Sequence, residues 1–195
     1  VAWHRHIIGG KSDTTKNIIH QQISFTSNTT IVNTTNNTIT LTSHGLSTGD
    51  PVYYYAASNA IGGLNNSTLY FAIASDSNTI KLATTASNAT AGTAISFTSA
   101  PSSDTTQYIY QGVNISSNFI YSASHGFTTG DIFYYDNTGT AIGGLSENTK
   151  YYIEKIDDNQ FKLYTNKTLS TVVSLTSAHT SEQTDNILTH AKVES

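Results

Sequence analysis

Apolar and polar positions alternate along this chain with a period of two. In the run Asn159 to Leu163, Phe161 and Leu163 point to one side and Lys162 to the other; Asn78 to Leu82 repeats the arrangement with Ile80, Lys81 and Leu82. Similar alternation covers Val52 to Tyr55, Ile132 to Tyr135 and Tyr151 to Ile153, with Tyr, Phe, Val, Ile and Thr supplying strand propensity. Between these runs lie turn signals: His-Gly at 44 and 125, Thr-Gly-Asp at 48 and 129, Gly-Gly at 62 and 143, Asp-Ser-Asn at 76 and Asp-Asp-Asn at 157. Gly45, Gly49 and Gly62 are expected at the positive φ that tight turns and bulges demand. No stretch of ordinary helical length has an amphipathic helical period, so the pattern predicts an all-β chain.

The turn signals recur at a fixed distance. His44 returns as His125, Ile61 as Ile142 and Lys81 as Lys162, each 81 positions on. The match is ungapped from Val32/Val113 through Thr84/Thr165; a three-residue deletion then brings Ile95 against Val173. Self-similarity at this period describes one supersecondary unit duplicated in tandem. A unit of short strands must close on itself or pair two sheets, because a small open sheet leaves one face and two edges bare. The expectation is two tandem small antiparallel β-barrel or sandwich modules, at 23–104 and 105–186. Residues 1–22 and 187–195 flank them.

Composition narrows the chemistry. Charged residues make up 11% of the 195 and the formal net charge is −4, without the basic stripe of a nucleic-acid binder. The chain has no Cys, which excludes disulfides, thiolate metal sites and cysteine nucleophiles. No apolar run approaches the roughly 20 residues of a membrane-spanning helix, and neither membrane insertion nor nucleic-acid binding is expected.

The candidate sites sit in the repeated turns. His44 with Asp50, and His125 with Asp131, have the residue types of an acid/base couple, yet each pair brackets a glycine turn in which Asp bonds backbone N–H groups and His satisfies a strand end. We read His44, Gly45, Gly49, Asp50, Gly62 and Gly63, with His125, Gly126, Gly130, Asp131, Gly143 and Gly144, as structural turn residues. Asp76 with Asn78, and Asp157 with Asp158 and Asn159, supply too few oxygens for Ca²⁺ and fit hairpin turns. His4 and His6 lie on one face of an extended segment without an evident third zinc ligand. The reading is of no catalytic residues, no metal and no cofactor. Tyr53, Tyr54, Tyr55, Tyr134 and Tyr135 are candidates for a surface that contacts sugar or protein; the alternative is that their rings cover edges and the seam between modules.

Taken together, H-G-[LF]-x-T-G-D, a hydrophobic strand, I-G-G-L, a Tyr strand and D-x-N-x-[IF]-K-L resemble modules that recur in phage tail and virion proteins. In fold alone they are similar to the small β-barrel of the first catalytic-cysteine half-domain of ubiquitin-activating enzymes. VAWHRHIIGG at one end and KVES at the other resemble the two halves of a short stretch in the tail nozzle proteins of short-tailed phages (tail tubular protein B). That resemblance implies that Lys11 to about Ala191 is an insertion in a loop of a nozzle β-propeller, at the kind of exposed loop tip where insertions succeed. It further implies that 1–22 are an N-terminal strand of a parent domain with an entry linker and 187–195 a return segment into that domain, in a non-enzymatic structural protein located in the virion tail. Its implied partners are other phage tail proteins, a homo-oligomeric ring in the virion and a host-surface glycan. The alternative is a glycan-binding adhesive module of a bacterial surface protein or phage fibre.

Overall fold

The computed structural model describes residues 15–177 and 183–190. The chain runs β1 (Thr15–Ser27), β2 (Val32–Asn33), β3 (Thr38–Thr40), β4 (Pro51–Ala56), β5 (Thr68–Asp76), β6 (Thr79–Ala83), α1 (Ala86–Thr90) and β7 (Thr105–Gln111). It continues through β8 (Val113–Asn114), β9 (Phe119–Tyr121), β10 (Ile132–Asn137), β11 (Thr149–Lys155), β12 (Gln160–Tyr164) and β13 (Gln183–His190). The fold is all-β. Its strands form one antiparallel hydrogen-bonded order, β2-β3-β6-β5-β4-β7-β1-β13-β10-β11-β12-β9-β8.

That order reads the same outward from β1 in both directions once β13 is matched to β7. The first repeat copy contributes β2 to β6 with β7; the second contributes β8 to β12 with β13. Both lean on β1. The C-terminal half of β1 pairs with β7, from Gln21↔Gln111 to Ser27↔Thr105. The N-terminal half pairs with β13, from Thr15↔Thr189 to His20↔Gln183, with a bulge between Ile18 and His20. One 13-residue strand therefore serves both copies. The boundaries expected at 22/23 and 186/187 each fall inside a strand, β1 and β13 respectively, and β7, expected in the second module, pairs with β4 of the first.

Two hydrophobic clusters follow the repeat. The first gathers Val32, Ile39, Val52, Tyr54, Ile61, Ile80, Leu82 and Ile109 with Phe25 of β1. The second gathers Val113, Ile120, Phe133, Tyr135, Ile142, Phe161, Leu163 and Leu188 with Ile18 of β1. The second is more aromatic: Phe127, Phe133 and Phe161 stand where the first has Leu46, Val52 and Ile80. Their rings meet at centroid distances of 4.4 Å and 5.0 Å. Larger side chains are accommodated when the whole layer changes together, here with Leu175 in place of Phe97 and Ile18 in place of Phe25.

The three extra residues of the first copy build α1. Thr85 caps this five-residue helix by accepting from Asn88 N–H at 3.0 Å. In the second copy a polar loop replaces it, with Asn166 accepting from Ser170 N–H.

Candidate functional site

The repeated motif builds the same turn twice. In the first copy His44 is buried, its Nδ1 accepts from Leu46 N–H at 2.9 Å, and its Nε2 lies 2.8 Å from the Asp76 carbonyl. In the second copy His125 Nδ1 accepts from Phe127 N–H at 2.9 Å and Nε2 lies 2.9 Å from the Asp157 carbonyl. An Nδ1 that accepts has no proton, so the geometry assigns the neutral Nε2–H tautomer to both rings. Burial lowers the His125 pKa below the ordinary histidine value, which agrees with that assignment.

The Asp of each motif is used locally. Asp50 Oδ2 accepts from Ser47 N–H, and Asp131 Oδ2 from Thr128 N–H, both at 2.8 Å. Asp76 and Asp157 each accept from the N–H two residues on, at 2.7 Å, while Asn78 and Asn159 reach back to the N–H of Ser43 and Ser124 at 2.9 Å. His and Asn thus tie the turn before β4 or β10 to the β5–β6 or β11–β12 turn, while each Asp holds its own turn. Among the described residues no group of three or more His, Cys, Asp or Glu could hold a metal ion. His4 and His6 lie outside the described residues, as do both end segments, VAWHRHIIGG and KVES.

The glycines divide into two kinds. Gly45, Gly49, Gly63, Gly126, Gly130 and Gly144 have positive φ. Gly62 does not, contrary to expectation, and neither does its counterpart Gly143. Each lies in an isolated bridge, to Ser99 and Ser177, where a Cβ would stand 2.8 Å and 2.7 Å from the serine backbone N. Close approach, not handedness, requires glycine there.

The tyrosines separate the copies. Tyr54 and Tyr135 are buried equivalents: each hydroxyl accepts from the N–H of Ile61 or Ile142 and donates to a side-chain amide, Gln107 Oε1 or Asn186 Oδ1. Burial pushes the Tyr54 pKa up to about 12. Tyr53, on the opposite face of β4, is 1% exposed. Tyr53, Tyr54 and Tyr135, candidates for a surface contact, are buried: Tyr53 covers the seam between the copies, which is the alternative reading, and Tyr54 and Tyr135 point into the cores of their own copies. Tyr55 is half-buried, and Tyr134 is 43% exposed.

Tyr53 is covered by the second copy. It packs with Tyr110, Leu69, Ile115, Phe119 and Tyr121 in a third cluster, at the seam between copies. Its hydroxyl donates to Gln160 Oε1 at 3.0 Å, and Asn114 Nδ2 donates to the Ser67 carbonyl at 3.2 Å. Burial, with Asp157 nearby, raises the Tyr53 pKa and keeps the phenol protonated. Gly112 sets the entry: its N–H donates to the Pro51 carbonyl, its φ is +69°, and a Cβ there would stand 1.9 Å from the Ile19 carbonyl oxygen.

The residues on the covering side of the seam were not among the expected sites. Their signal lay in the differences between copies: Thr34, Thr38 and Thr40 become Ile115, Phe119 and Tyr121, and Leu69 becomes Lys150; the sheet register adds that Thr189 stands where the first copy has Tyr110. No family model, curated protein or solved structure matches the chain.

Proposed function

We propose that this chain is a non-catalytic structural element of a phage tail, a nozzle or tail-tube component whose β-modules project outward and make protein contacts or attach to the host surface. The observation that carries the reading is the double use of the motif. In both copies its His, Asp and Asn are committed to the same backbone atoms, a scaffold's use of polar groups rather than an enzyme's. The resemblance to phage virion modules supplies the setting, and ring assembly with other tail proteins is part of the same proposal. Immunogold electron microscopy of intact particles, with antibody against the folded chain, tests it. Label on the tail below the portal is the expected result; particles without label, given an accessible epitope, overturn it.

One observation favours a second reading. Tyr134 is an exposed ring between exposed Asp136 and Lys150, a stacking surface with polar flanks that suits a sugar. Gold at distal fibres, with retention of the chain on bacterial surface polysaccharide, would select this adhesive module.

A further inference from the structure

The seam within the chain is a worked example of what the outer face of a repeat copy can bind. In the first copy that face is centred on Tyr53, with Tyr110 opposite on β7 and Leu69 opposite on β5, and the β8–β9 hairpin lies over it. In the second copy the same register places Tyr134 between Thr189 on β13 and Lys150 on β11. Tyr134 is 43% exposed there, with Tyr152 half-buried diagonally across the strands and the Lys150 ammonium 5.7 Å from its ring centroid.

We propose that the outer face of β13-β10-β11, centred on Tyr134, is a docking surface for an aromatic β-hairpin of another protein, of the kind that β8–β9 presents to the first copy. The two faces share strand order, register and a central Tyr, so an occupant of the same shape fits both. They differ at the rim. Lys150 replaces Leu69 and Thr189 replaces Tyr110, so the second face is more polar, as in an interface that forms between separately folded partners. The partner's hairpin carries two or three large apolar side chains around Tyr134 and a carboxylate opposite Lys150.

A second copy of this chain does not supply that hairpin. Its corresponding free edge, β2–β3 with the start of β6, bears Thr34, Thr38, Thr40 and Thr79 where the covering edge has Ile115, Phe119, Tyr121 and Gln160. The proposal names the surface for the protein contact put forward above, and relies on that reading only for the assembly in which the partner is found.

The test rewrites the free edge of the full chain. A Thr34→Ile/Thr38→Phe/Thr40→Tyr variant carries the covering side chains, and sedimentation equilibrium should show it associating head-to-tail beyond any association of the parent chain. Adding Tyr134→Ser should weaken that association at least about tenfold. If the triple variant melts at a lower temperature than the parent, the Thr38→Phe/Thr40→Tyr pair is read in its place.

A folded variant that associates no more than the parent chain, or added association indifferent to Tyr134→Ser, overturns the proposal. So does a parent chain that self-associates through Tyr134, since the occupant is then a second copy. Retention of the parent chain on purified bacterial surface polysaccharide, lost in Tyr134→Ser, makes the occupant a sugar and also overturns it. Virion labelling is independent of all these outcomes, so failure of the tail reading and failure of the docking surface are told apart.

Discussion

Tyr53 and Tyr134 occupy the same position in two copies of one unit, on matching strands, yet one is 1% exposed and the other 43%. Nothing in the strands themselves explains this. β4 and β10 have the same length and sit in the same place in their half of the sheet order. What differs is the neighbour: Gly112 carries the second copy's hairpin back over the first copy's outer face, and nothing among the described residues does so for the second. A repeat therefore specifies the inner face of each strand twice. The outer face depends on position in the array, and the substitutions between copies record which face is covered.

Removing the turn that positions the hairpin should break this arrangement most severely. Gly112→Val puts a β-branched side chain at positive φ, against a backbone oxygen that cannot move freely, and about 4 kcal/mol of stability should be lost. Urea unfolding monitored by tyrosine fluorescence measures it. Gln160→Ala leaves the buried Tyr53 hydroxyl without its acceptor and should cost about 1–3 kcal/mol in the same experiment.

A smaller effect tests the equivalence of the copies. Gly49 and Gly130 have φ of +99° and +93°, with open space where a Cβ would stand, so Gly49→Ala and Gly130→Ala carry only the backbone cost. Each should lose about 1–2 kcal/mol, and to the same extent. Unequal losses would show that the two turns are not mechanically alike.

The smallest effect is in pH. The His125 pKa is lowered in the folded protein, chiefly by burial, so on acidification the unfolded chain takes up its proton first. The contribution is whole above the unfolded value of about 6.5 and is lost as pH falls below it toward the folded value. Denaturation midpoints between pH 7 and 5 should fall less steeply in His125→Asn than in the parent chain.

Much of this was legible in the residues. Alternation marked the strands, glycines and Asx residues marked the turns, and the 81-residue spacing marked the duplication. The period, however, fixes the length of a repeat and not its phase. β7 lies 81 positions after the end of β1 and reads as the start of the second unit, yet hydrogen bonding places it last in the first copy's half of the sheet. β1 was missed as a shared strand because Ile18 and Phe25, seven positions apart, serve different cores, which local alternation cannot distinguish. At Tyr53 surface contact and seam cover both stood open, because alternation tells which face a residue is on, and not whether another part of the chain covers it; the ring lies in the seam.

The most direct test of the comparison is the pair of unfolding free energies for Tyr53→Ala and Tyr134→Ala, measured in the same urea series. Loss of the covered ring should cost about 3–5 kcal/mol and loss of the open one about 1 kcal/mol. Equal losses, or a larger loss at Tyr134, would contradict the account, because the two outer faces would then be equally covered.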